Sequence, residues 1–136
     1  VIEDEEPLLE ELLLILEFEG YDVIGTSSGI NGIELIKQHK PDLIVSDIMM
    51  ASISGFEILQ AVRDDPLTNH IPFIFLTAVA ERSAMRQGMV MGADDYLTKP
   101  FGKDELLTAI NVRIQKYQER KERLRNNSKT DDEPAQ

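Results

Sequence analysis

Residues 43–47 read Leu43-Ile44-Val45-Ser46-Asp47: three consecutive apolar side chains, then a hydroxyl and a carboxylate. An unbroken apolar run of this length suits a strand covered on both faces, as in a parallel sheet, because a half-solvated strand would alternate. The figure recurs on either side. Downstream, Pro72-Phe73-Ile74-Phe75-Leu76 carries its proline at the first strand residue, where it is tolerated, and ends in Thr77-Ala78. Tyr96-Leu97-Thr98 ends in Lys99-Pro100. Upstream, Tyr21-Asp22-Val23-Ile24-Gly25 reads as a short strand, and Val1-Ile2 as the stub of another that ends in Glu3-Asp4.

Helical patterns separate these runs. Pro7 suits a first helical turn, where its missing N–H costs nothing, and Leu8, Leu9, Leu12, Leu13, Ile15, Leu16 and Phe18 follow on one broad face up to Gly20, a stop. Ser28 is placed to cap a second helix through Ile30, Ile33, Leu35 and Ile36, with Pro41 beyond its end. Phe56, Ile58, Leu59 and Val62 mark a third, between Gly55 and Pro66. Residues 81–91 form a fourth, with Gly88 at some cost in propensity, and a fifth starts near Lys103. Five β-α units predict one α/β domain: a single five-stranded parallel, doubly wound sheet with helices on both faces. Two apolar residues are short for a central strand, so the first strand is expected to extend ahead of Val1.

The 136 residues suffice for one such domain, and 42% hydrophobic content supplies a core. Without cysteine there is no disulfide scaffold and no thiolate metal site, and two histidines are too few for a His-rich one. No membrane-length apolar run or signal peptide is present, so a cytoplasmic location is expected. The net charge of −11 disfavours a chain coating nucleic acid. It is also uneven. Residues 1–36 hold ten acids and no Lys or Arg, whereas 113–129 hold seven bases and two acids. Most of these charges read as solvated surface.

Ligands of open α/β sheets bind beyond the carboxyl ends of the strands. Glu3, Asp4 and Asp47, the Thr77 hydroxyl and the Lys99 ammonium would converge there. Singly, each has an ordinary explanation: Glu3 and Asp4 as caps of the first helix, Asp47 as a loop acid, Thr77 as a β-former, Lys99 as a surface lysine. Together, three close carboxylates raise one another's pKa unless a cation lies among them, and a hard divalent ion with oxygen ligands answers that need.

These residues carry a resemblance. Glu3-Asp4, Ile44-Val45-Ser46-Asp47-Ile48-Met49-Met50 with Gly55, Leu76-Thr77-Ala78, and the run Gly92-Ala93-Asp94-Asp95-Tyr96-Leu97-Thr98-Lys99-Pro100-Phe101 resemble the response-regulator receiver domains of two-component signalling, over roughly residues 1–116. The resemblance implies a flavodoxin-like strand order 2-1-3-4-5. Asp47 would be the phosphoacceptor, a carboxylate nucleophile that forms an acyl phosphate with phosphoryl from a sensor histidine kinase or histidine phosphotransfer protein. Mg²⁺ would be held by Asp4, by Glu3 mainly through water, by Asp47 and by the Met49 backbone carbonyl. Lys99 would offset phosphoryl charge, and Thr77 would bond a phosphoryl oxygen. The Thr77 shift would let Tyr96 turn inward and reshape the face of the fourth helix, fifth strand and fifth helix. The Lys99–Pro100 bond would be cis. Such a protein modifies and unmodifies itself and turns over no separate substrate.

Departures from the family pattern are Ala51 and Ser54 in the loop after Asp47, and the apolar Met49 and Val79, which imply a long-lived phosphoryl group. Two other classes remain: a pseudo-receiver that only binds partners, which the intact Glu3, Asp4, Asp47, Thr77 and Lys99 set disfavours, and a phosphatase with Asp47 as nucleophile, which Met49 disfavours where such enzymes carry a second acid. Beyond the receiver, 117–136 reads as a charged helical extension and disordered tail or linker. Leu107, Ile110, Ile114, Tyr117, Lys121 and Leu124 form a short heptad seam; either Leu107, Ile110 and Ile114 pack on the domain and the rest is a solvated extension, or the seam pairs two chains. A homodimer would use this helix or the switch face, although Ala109 lacks the basic group of the winged-helix class. Direct nucleic-acid binding by the basic stretch is not expected.

Overall fold

In the computed structural model, residues 1–78 and 82–132 are described. Element order is α1 (Glu6–Phe18), α2 (Gly29–His39), β1 (Ile44–Asp47), α3 (Gly55–Asp64), β2 (Phe73–Ala78), α4 (Arg82–Val90), β3 (Asp95–Lys99) and α5 (Lys103–Asp132). The strands form a parallel sheet in the order β1-β2-β3, with Ile44 opposite Phe73 and Ile74 opposite Asp95.

Both faces of the sheet are covered, as the unbroken apolar runs require. Ile44, Phe73 and Phe75 pack with Ile36 of α2 and Ile58, Leu59 and Val62 of α3. The alternate residues Val45, Ile74, Leu76 and Leu97 pack with Leu12 and Leu16 of α1 and Leu106 and Ile110 of α5. Period-two alternation thus survives inside a continuous apolar run, with each half of the residues serving one layer.

The expected five strands reduce, among the described residues, to three strands joined by two ladders. Ile2 makes only isolated parallel bridges, to Thr26 on one side and Ser46 on the other. Soon after Ile2 the chain turns through the N-cap Glu5 into α1 at Glu6. Residues 21–25, expected to be a strand, form none; they and Thr26 meet the Val1–Glu3 segment through Val1 N to Ile24 O at 2.8 Å, Thr26 N–H to Val1 O at 3.0 Å and Glu3 N–H to Thr26 O at 3.1 Å. A cleft of about 540 Å³ remains there, lined by Val23, Ile24, Leu43 and Ile110 among others, and includes none of the acids at the strand ends.

Helix ends follow local chemistry. Ser28 caps α2, its hydroxyl accepting from Asn31 N–H at 3.2 Å. Gly20 ends α1 at φ 92°, and Gly92 ends the α4 turn at φ 104°, where a side chain would be strained. The cap of α1 is Glu5 rather than Glu3 or Asp4, and its side chain makes no capping bond. Helix α5 continues unbroken through residue 116 to Asp132. Leu107 and Ile114 pack on the α1–α5 core, and Tyr117 stacks on His70 at 5.7 Å between ring centroids. The first part of the heptad seam therefore packs on the domain, while Lys121 and Leu124 are exposed. Residues 118–127 are all exposed. Among the described residues no helix is long and apolar enough to cross a membrane.

Candidate functional site

The carboxyl ends of the strands deliver the predicted residues to one place. Asp47 is the last residue of β1 and Lys99 the last of β3, and the Ile2 bridge to Ser46 sets Glu3 and Asp4 beside them. Carboxylate oxygens of Glu3, Asp4 and Asp47 all lie within 4.8 Å of one another. Lys99 Nζ donates to Glu3 Oε1 at 3.1 Å and Oε2 at 3.2 Å, and to Asp47 Oδ2 at 3.3 Å. Glu3 is fully buried and Asp47 nearly so, while Asp4 faces solvent.

Burial and crowding govern protonation. The Glu3 carboxyl is pushed up to about 7, first by burial and then by the Asp47 charge, with Lys99 pulling the other way. Asp47 is also raised, because burial outweighs the adjacent ammonium. Burial draws Lys99 down, but Asp47 and Glu3 together carry it above the usual lysine value. One ammonium against three acids leaves the cluster short of positive charge, and its donors are all hard oxygens. That combination fits a small divalent cation such as Mg²⁺ better than a soft or imidazole-seeking metal.

Thr77 is buried on β2, its hydroxyl donating to Ala78 O at 3.3 Å. Tyr96 on β3 is 40% exposed and turned outward. Met49 lies in the loop after β1 with its side chain 62% exposed, so any contribution to the acids comes from its backbone. The Lys99–Pro100 peptide is cis. Val79 lies outside the described residues.

Several supporting residues are not evident from the motif alone. A Cβ on Gly55 would lie 2.3 Å from the Asp47 carbonyl oxygen, so only glycine lets the start of α3 approach the phosphoacceptor candidate this closely. Ser54 and Glu57 form a reciprocal capping box there, legible as Ser-x-x-Glu. Gly88 likewise admits the Phe75 ring, which a Cβ would meet at 2.6 Å. Arg63 ties α3 to the chain entering β3: its guanidinium donates to Gly92 O at 2.8 Å, to Ile71 O at 2.8 Å and to Asp94 Oδ2 at 3.2 Å. Asp94 Oδ2 also accepts from Phe73 N–H at 2.8 Å. Nothing local in the sequence announces a pair 31 residues apart.

The chain is similar to known proteins. A family profile described as response regulator receiver domain matches residues 1–111. The DNA-binding dual master transcriptional regulator RpaA of Synechocystis sp. is 40% identical over 117 residues, 85% of this chain and 48% of that protein. The phosphate regulon transcriptional regulatory protein PhoB of Pseudomonas aeruginosa is 38% identical over 112 residues, 82% of this chain and 49% of that protein. The chain thus spans about half the length of the curated relatives it matches. Among solved structures, a response regulator receiver domain protein from Clostridium thermocellum superposes with TM-score 0.80 at 29% identity, covering 86% of this chain and 93% of that one. A receiver domain protein (CheY-like) from Methanospirillum hungatei gives TM-score 0.82 at 26% identity, covering 88% and 94%. The relatives include a DNA-binding transcriptional regulator, so they lend no support to the expectation that direct nucleic-acid binding is unlikely.

Proposed function

The chain belongs to the response regulator receiver domain family, and on that premise we propose that it is a Mg²⁺-dependent phosphoacceptor in a two-component phosphorelay. The observation that carries the reading is Lys99 Nζ bridging Glu3 and Asp47 while Asp4 completes a tight triad of acids. Asp47 is the nucleophile: its carboxylate attacks the phosphorus of a kinase or phosphotransfer phosphohistidine, forming an acyl phosphate as the P–N bond breaks and the imidazole leaves. Glu3, Asp4, Asp47 and the Met49 carbonyl would hold Mg²⁺, which when bound supplies positive charge to offset the phosphoryl oxygens. Lys99 supplies further charge, and Thr77 bonds a phosphoryl oxygen once Asp47 is modified. Tyr96, now outward, then turns in and alters the α4–β3–α5 face, the surface for a partner or a second copy. The single bridges of Ile2 to Thr26 and Ser46 support the flavodoxin-like order 2-1-3-4-5 with the segment before Asp4 at its centre. A cytoplasmic site of action, and self-modification without turnover of a separate substrate, belong to the same reading.

Incubation with acetyl phosphate and Mg²⁺, followed by intact-mass spectrometry, is expected to add one phosphoryl group to the wild-type chain and none to Asp47→Asn. Equal labelling of the two would remove Asp47 from its role. Metal binding without any labelling would make the domain a pseudo-receiver.

A further inference from the structure

Ser46 occupies an odd position for a hydroxyl. It lies on β1 between Ile44 and Ile48, and both neighbours belong to the apolar cluster under α2 and α3. Period-two alternation sets Ser46 on that same face, and it is fully buried. A hydroxyl in an apolar layer is costly unless bonded. Here it donates to the backbone carbonyl of the next residue, Asp47, at 2.9 Å. That same carbonyl oxygen is the atom a Gly55 Cβ would strike. Next along the chain, the Ile48 carbonyl accepts from Gly55 N–H at 2.7 Å. The first two carbonyls leaving the strand are thus engaged, one by Ser46 and one by Gly55. Met49 carries the first carbonyl taken by neither bond.

We propose that Ser46 is a positioning residue for Asp47. Its hydroxyl fixes the Asp47 peptide against Gly55, and so fixes both the Asp47 carboxylate and the following turn that offers the Met49 carbonyl to a divalent cation. This rests on the receiver reading above. The effect is on geometry, so it exists before any cation binds.

The test compares wild type, Ser46→Ala and Ser46→Thr, which keeps the hydroxyl. In metal-free protein, amide hydrogen exchange at Gly55 is expected to quicken about tenfold in Ser46→Ala, the equivalent of one net hydrogen bond, and to return toward wild type in Ser46→Thr. The Mg²⁺ concentration for half-saturation, read by titration of backbone NMR shifts, should rise several-fold in Ser46→Ala alone. A role confined to core packing would lower the unfolding midpoint without moving half-saturation. Wild-type exchange and wild-type half-saturation in Ser46→Ala would overturn the proposal. Should Ser46→Ala not fold, Ser46→Cys keeps the volume with a weaker donor, and wild-type values there overturn it equally. Labelling of Asp47→Asn would sink the phosphoacceptor reading instead, and the metal-free exchange result would still judge Ser46.

Discussion

Lys99 Nζ sits 3.1 Å and 3.2 Å from the two carboxylate oxygens of Glu3, a residue 96 positions away in the chain and fully buried. A buried acid held by one cation that it shares with Asp47 is a site with charge left to neutralise. Two consequences can be measured there, and two more at Gly55 and Arg63.

Stability should depend on pH through Glu3. Its carboxyl titrates near 4.5 in the unfolded chain and near 7 when folded. The native state therefore holds the proton more tightly, so this contribution is fully present below about 4.5 and is lost as pH rises through about 7. The loss is on the order of 3 kcal/mol. Urea unfolding of metal-free protein at pH 5 and pH 8 should show it. Glu3→Gln should flatten the profile, and an unchanged profile would refute the assignment.

A divalent cation bound among the acids would compete with Lys99 for the Glu3 and Asp47 oxygens it holds. Lys99→Met should therefore tighten Mg²⁺ binding several-fold by removing a like charge, while slowing labelling of Asp47 by about tenfold or more through loss of an electrostatic partner. Calorimetric titration and mass-spectrometric labelling separate the two effects. Weaker Mg²⁺ binding in the variant would contradict the competition.

Gly55 and Gly25 provide a contrast in what surrounds a glycine. At Gly55 a methyl group meets fixed backbone, with Asp47 O at 2.3 Å and Ile48 Cα at 3.0 Å. At Gly25 it meets the movable end of Leu13 at 2.7 Å. Gly55→Ala should cost about 2–3 kcal/mol in denaturant unfolding and Gly25→Ala clearly less. Equal costs would mean that the β1–α3 loop yields more readily than its hydrogen bonds imply.

Removing Arg63 should loosen the fold without touching the chemistry. Arg63→Ala leaves the Gly92 and Ile71 carbonyls and the Asp94 carboxylate without this donor, costing about 2–3 kcal/mol. The Mg²⁺ half-saturation of the folded protein should stay at the wild-type value. A shifted half-saturation would show that the clasp reaches the acid pocket.

Local pattern carried a large part of this protein. Continuous apolar runs specified buried parallel strands, Ser28 and Gly20 marked helix ends, and acids at strand ends foretold where Glu3, Asp4, Asp47 and Lys99 meet. These are legible because burial period, capping and strand termination are set by neighbours in sequence. The number of regular strands was not legible in this way. Whether Val1-Ile2 and residues 21–25 become ladders depends on how much pairing length each edge finds, and that yields one bridging residue per side. The same limit applies to the heptad seam of α5. Spacing alone does not say where each seam residue goes: Leu107, Ile110 and Ile114 pack on the domain and Tyr117 meets His70 of the α3–β2 connection, whereas Lys121 and Leu124 are exposed. Local sequence thus named the groups that the strand ends bring together. Tertiary structure decided their protonation and support, because desolvation of Glu3, the closeness of Gly55 to Asp47 and the Arg63–Asp94 pair exist only once distant segments exclude water from between them.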